Sequence, residues 1–128
     1  MDLAPEQLEQ IVAHAQREAP NECCGIVGVR DGRPTEVFEL TNVHASPYRF
    51  EPDPRELVRA YSALDAAGAD VGAIYHSHTR SAPEPSQTDV HFARNWPGVE
   101  WIIVGLKGAE PEVRTWRIEP DGTTTEVA

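Results

Sequence analysis

Leu8, Ile11, Val12 and Ala15 recur at three- and four-residue steps, the spacing of one helical face, and predict a helix from about Pro5 to Glu18 that Pro20-Asn21 ends. Glu22 to Val29 is a short run of small and apolar residues and reads as a buried strand. Asp31-Gly32 is a turn signal, and Thr35 to Thr41 returns as a second strand, which makes a hairpin. Asn42 to Pro47 reads as loop and Tyr48 to Glu51 as a short extended segment or strand. Asp53-Pro54 has the form of an N-cap followed by proline at the first helical position. That helix carries Leu57, Val58, Tyr61 and Leu64 and runs to about Ala67, where Gly68 stops it.

Val71 to His78 reads as a strand that runs into a polar loop, Thr79 to Pro85, and Ser86 caps a third helix reaching to about Asn95. Trp101 to Leu106 is the clearest central strand. Glu112 to Glu119 alternates, with Trp116 and Ile118 on one face, and Thr123 to Val127 forms a last edge strand after the Pro120-Asp121-Gly122 turn. Helices and strands interleave, so the fold class is α/β (α+β): a mixed twisted sheet flanked by about three helices, in two or three layers.

Length and charge narrow what such a fold can do. The chain has 128 residues, one domain's worth, and residues 1–128 are expected to form a single domain. Eleven basic residues against 21 acidic ones leave a net charge of −10. A surface this acidic has no general attraction to nucleic acid or to an anionic membrane. No apolar run approaches the roughly 18 residues of a membrane span, and the N-terminus lacks the pattern of a signal peptide. Cys23 and Cys24 are neighbours; on a strand they point to opposite faces, so no disulfide joins them and a reduced, cytoplasmic protein is expected.

Candidate metal chemistry concentrates between residues 76 and 89. On a strand, His76 and His78 project from the same face. Ser86 and Asp89 stand one turn apart at the start of a helix, and the seven-residue loop between His78 and Ser86 is long enough to bring that helix back to the histidines. The set His76, His78 and Asp89 has the three protein ligands of a catalytic zinc, which leaves one position for water. Taken alone, His-x-His also suits a surface pair, and Ser86 with Asp89 also suits a capping box.

His76-Ser77-His78, seven residues, Ser86, two residues, Asp89 resembles the signature of the JAMM (MPN+, Mov34/PAD-1) metalloproteases. Glu22, in Pro20-Asn21-Glu22-Cys23-Cys24-Gly25, matches the family's upstream glutamate, and the resemblance extends over nearly the whole chain. It implies a single MPN/JAB domain with cytidine-deaminase-like layers. It further implies one Zn²⁺ held by His76, His78 and Asp89, Glu22 as the general base that takes a proton from water and returns it to the leaving amine, and Ser86 as hydrogen-bond donor to the developing oxyanion.

The small bacterial members of the family, which this chain resembles most around residues 75–79, 85–90 and 46–54, act on ubiquitin-like sulfur-carrier proteins of the ThiS/MoaD type. The implied reaction cuts the peptide bond after the carrier's C-terminal diglycine and releases cysteine from a carrier–cysteine adduct. The alternatives are trimming of a carrier's C-terminal extension, a deubiquitinase-like isopeptidase and a non-catalytic MPN scaffold. A cysteine hydrolase built on Cys23 or Cys24 with a histidine is a separate possibility. The oligomeric state is left open. His44 and Arg49 are candidates to steer a carrier's tail, His91 lies roughly 200° around the helix from Asp89 and is expected to point away, and His14 is expected on a solvated face.

Overall fold

The computed structural model describes residues 1–127; Ala128, the last residue of the expected domain, lies outside the described residues. Three helices, α1 (Pro5–Glu18), α2 (Pro54–Ala66) and α3 (Gln87–Ala93), accompany six strands. The strands are β1 (Cys24–Arg30), β2 (Arg33–Leu40), β3 (Asp70–His78), β4 (Glu100–Gly105), β5 (Glu112–Ile118) and β6 (Thr124–Val127), joined in one sheet of order β2-β1-β3-β4-β5-β6. Neighbours are antiparallel except β3 and β4, which run parallel and are joined through α3. A parallel pair cannot be closed by a hairpin, so this crossover is what carries the Ser86–Asp89 segment across the sheet.

Alternation along the central strands feeds two cores. Cys24, Ile26, Ile74, Trp101 and Ile103 face α2 and α3 and pack with Ala60, Leu64 and Ala93. Cys23, Val27, Ala73, Tyr75, Ile102 and Val104 face α1 and pack with Ile11 and Ala15. The neighbouring cysteines therefore do point to opposite faces, and both are free thiols. The hairpin turn is as the sequence expects: Asp31 and Gly32 both take positive φ, 53° and 76°, which suits a two-residue connection between paired Arg30 and Arg33.

One open reading is decided and two expectations are corrected. Of the two readings of Tyr48–Glu51 the strand does not form, because its backbone groups bond elsewhere: the Asn42 side chain donates to the Arg49 carbonyl and accepts the Glu51 N–H. Only an isolated bridge, Asn42 with Pro52, remains. α3 ends at Ala93 instead of Asn95, since the N–H groups of Arg94, Asn95 and Trp96 turn to carbonyls three residues back ahead of Pro97. His14 is buried, with 4% of its surface exposed, while Leu8 is exposed. The inner face of α1 is Ile11, His14 and Ala15, and His14 Nδ1 meets the Tyr75 hydroxyl at 2.7 Å. Gly25, paired with Tyr75 across β1 and β3, leaves room for that ring: a Cβ there would lie 2.1 Å from it.

Candidate active site

His76 and His78 end β3 on the face toward α3. In the antiparallel register of β1 and β3, Cys24 lies opposite His76, so extending it by two residues sets Glu22 opposite His78 on the same face. The Cys23 N–H donates to Ser77 Oγ at 2.8 Å and holds this unpaired end of β1 against β3. From the other side α3 delivers Asp89 through a capping box: the Asp89 N–H donates to Ser86 Oγ at 3.1 Å, and the Ser86 N–H donates to Asp89 Oδ2 at 2.9 Å. Capping and convergence on the histidines coexist, because Asp89 Oδ2 also lies 3.0 Å from His78 Nε2 and Oδ1 lies 3.1 Å from His76 Nε2.

The two Nε2 atoms stand 3.2 Å apart, and His76, His78 and Asp89 form a group able to hold a metal ion. All three are buried. The backbone carbonyl of Ala82 lies 2.9 Å from His78 Nδ1, which places the ring proton there and turns a bare Nε2 lone pair toward Asp89. Acceptors packed this closely need positive charge among them, from a metal ion or from protons on the imidazoles. Tetrahedral ligands at the ~2.1 Å of zinc bonds stand ~3.4 Å apart, comparable with the 3.2 Å between the two Nε2 atoms and the 3.0 and 3.1 Å from each to a different Asp89 oxygen. The residues fit a zinc ion by donor chemistry and by spacing.

Electrostatics agree. Burial works against ionisation of Asp89, but with protons on the imidazoles in place of an ion, the His76 charge and the hydrogen bonds from His76, His78 and the Ser86 N–H hold its carboxyl far below the usual range. Burial opposes the charged form of His78, yet its bonds to Asp89 and the Ala82 carbonyl raise its pKa. Glu22 is buried and pushed up to about 8 by desolvation, partly offset by His78. A carboxyl in this range can both take and return a proton near neutrality. A dication in the triangle would draw it down again.

Ser86 is exposed at the mouth of the site, with its hydroxyl oxygen accepting from Asp89 and its proton free. His91 is exposed and outside the triangle, as expected. His44 and Arg49 are exposed on the loop beside the site, and His44 lies 3.5 Å from Glu51. Cys23 and Cys24 are buried; desolvation pushes the Cys23 thiol up to about 12 and raises Cys24 as well, which removes both as nucleophiles.

Sequence reasoning missed three neighbours of the site. The Phe50 ring stacks on His76 at 4.6 Å between centroids, and the Ala82 carbonyl orients His78. Arg80 lies over the Tyr48 ring and donates to its hydroxyl at 2.9 Å, joining the two loops that flank the mouth. The Phe50 and Arg80 contacts join separate segments, and the Ala82 contact depends on how the loop after β3 folds back on His78, which no periodicity encodes.

The chain is similar to several known proteins. The CysO-cysteine peptidase of Mycobacterium tuberculosis is 35% identical over 119 residues, which cover 91% of this chain and 80% of that protein. A probable TtuB-protein conjugate cleaving protease of Thermus thermophilus is 42% identical over 103 residues, covering 79% and 67% of the two chains. The solution structure of a Desulfitobacterium hafniense protein superposes with a TM-score of 0.82 at 32% identity, covering 97% of this chain and 87% of that one. Residues 5–119 match the family described as prokaryotic homologs of the JAB domain, and the chain belongs to that family.

Proposed function

We propose that this protein is a zinc-dependent peptidase that cuts after the C-terminal diglycine of a ubiquitin-like sulfur-carrier protein and releases cysteine from a carrier–cysteine adduct. The observation that carries the chemistry is the buried group of His76, His78 and Asp89, in which the two Nε2 atoms stand 3.2 Å apart and lie 3.1 and 3.0 Å from the two Asp89 oxygens, beside the buried Glu22. The substrate follows from likeness to a relative named a CysO-cysteine peptidase. We take residues 1–128 as one catalytic domain working in the cytoplasm with one zinc per chain.

His76, His78 and Asp89 hold the ion, which when bound supplies Lewis acidity and lowers the pKa of water toward ~7. Glu22 accepts the water proton and delivers it to the departing amine as the carbon–nitrogen bond breaks. The Ser86 hydroxyl donates to the oxyanion that forms on the carbonyl. The products are a carboxylate and a free amine, with no acyl-enzyme. The presence of all three ligands together with Glu22 disfavours a non-catalytic scaffold.

A second reading, cleavage of a carrier joined to another protein, is favoured by the relative named for TtuB-protein conjugates. Intact mass separates the two. The zinc-loaded protein is incubated with a diglycine carrier bearing a C-terminal cysteine, with a carrier bearing a longer extension, and with an isopeptide-linked conjugate. Loss of one cysteine mass, abolished by a chelator and by Glu22→Gln, is the expected result. Turnover of the conjugate or the extension alone would overturn the cysteine-releasing reading, and turnover that survives chelation would overturn the metallopeptidase.

A further inference from the structure

Asn42 is 7% exposed and lies just past the end of β2, on no recognised motif. Its side chain makes four hydrogen bonds. Nδ2 donates to the Glu22 carbonyl at 3.1 Å and to the Arg49 carbonyl at 3.0 Å. Oδ1 accepts the His44 N–H at 3.1 Å and the Glu51 N–H at 3.0 Å. Those four bonds are the full capacity of a primary amide. The segment they gather, residues 43–51, closes on Glu22 a second time, because the Glu22 N–H donates to the Ser46 carbonyl at 2.8 Å. The same segment lays Phe50 on His76 and Tyr48 against Arg80. One buried amide thus ties the backbone of Glu22 to a strap that walls the metal triangle and rims its mouth.

The geometry points to Asn42 as a positioning residue that acts through Glu22, fixing strap 43–51 and Glu22 as one rigid unit. This rests on the reading of Glu22 as the base. A peptide carbonyl pinned from one side and its own N–H pinned from the other leave the Glu22 side chain little freedom to leave the triangle. Asn42→Asp isolates the role. The carboxylate keeps the shape and still accepts from His44 and Glu51, but it loses both donors and sets a negative charge against the Glu22 and Arg49 carbonyls. None of the metal ligands is touched.

The test is a double-mutant cycle on zinc-loaded protein with the carrier substrate, comparing wild type, Asn42→Asp, Glu22→Gln and the double variant under steady-state conditions. Asn42→Asp is expected to lower kcat about 10- to 100-fold, with bound zinc unchanged and KM within about threefold. In the Glu22→Gln background the same change is expected to cost less than about twofold, since residues acting through one another are not additive. An undiminished kcat in Asn42→Asp, or an equal penalty in both backgrounds, overturns the proposal while leaving the base reading intact. A fully active Glu22→Gln overturns the base reading, and this proposal with it.

Hydrogen exchange on the wild-type protein tests the strap without any variant. The amides of Glu22, His44 and Glu51 are expected to exchange within about a factor of ten of one another, as one opening unit. Fast exchange at His44 and Glu51 beside a protected Glu22 would overturn the strap.

Discussion

The Ser86 hydroxyl accepts the Asp89 N–H and keeps its own proton for another partner, so on the proposed mechanism one side chain both builds the site and serves the oxyanion. Ser86→Ala should show both effects. Loss of the cap costs about 1 kcal/mol of stability, read from denaturant unfolding. Loss of a single oxyanion donor lowers kcat about 10²- to 10³-fold, far more than the stability change explains. His14 gives a residue-scale prediction of another kind. Burial lowers its pKa below the ordinary 6.5, so the folded state binds fewer protons than the unfolded state between the two values. Its contribution to stability is therefore complete above pH 6.5 and is lost as the pH falls through the lowered folded value. Unfolding midpoints for wild type and His14→Gln, measured from pH 7 to 5, should converge toward the acid end. A gap that stays constant with pH would show that His14 does not titrate in this way.

At the scale of elements, the helix starts do most of the placing. The Asp53 carboxylate accepts the Arg55 and Glu56 N–H groups at 2.8 and 3.2 Å and begins α2 right after the strap. Asp53→Ala should cost roughly 1 kcal/mol, a fall in Tm of about 4 °C, while leaving kcat unchanged. Gly25→Ala should be far more damaging, because its Cβ would drive into the Tyr75 ring and through it against His14. Overpacking of this kind costs typically 1–3 kcal/mol or more, and thermal melts of Gly25→Ala check it.

The same elements show what the sequence discloses. Asp31-Gly32, Asp53-Pro54 and Ser86 announce their turns and caps through local chemistry, and His76 and His78 share a face because a strand repeats every two residues. The burial of His14 and the fourfold bonding of Asn42 depend on Tyr75, Glu22, Arg49 and Glu51, whose positions only the assembled sheet sets. Phe50 on His76 is hidden for the same reason: its segment has no periodicity, only partners.

Across the whole molecule, the metal triangle joins β3 to α3 and so links the sheet to the helix that crosses it. A ligand that binds only the folded form stabilises it in proportion to the logarithm of its concentration, by about 2.7 kcal/mol at a hundred times its dissociation constant. Tm should therefore climb with added zinc and fall with a chelator, and His78→Ala should abolish the response. A flat Tm in the wild type would show that no ion is held. The charge of −10 bears on the partner: a carrier that is itself acidic must dock through local contacts, so lowering the salt should not tighten its binding.

Two steps along the backbone, from Glu22 to Cys24, send a carboxyl to the mouth of the candidate site and one sulfur into each of the two cores. On the proposed function the product amine is free cysteine, and its disulfide form exchanges with any accessible thiolate to leave a mixed disulfide. Here both sulfurs are sealed from solvent and kept protonated, which guards them against such exchange. Iodoacetamide should label neither cysteine in the native protein, activity should survive the treatment, and two labels should appear only after unfolding.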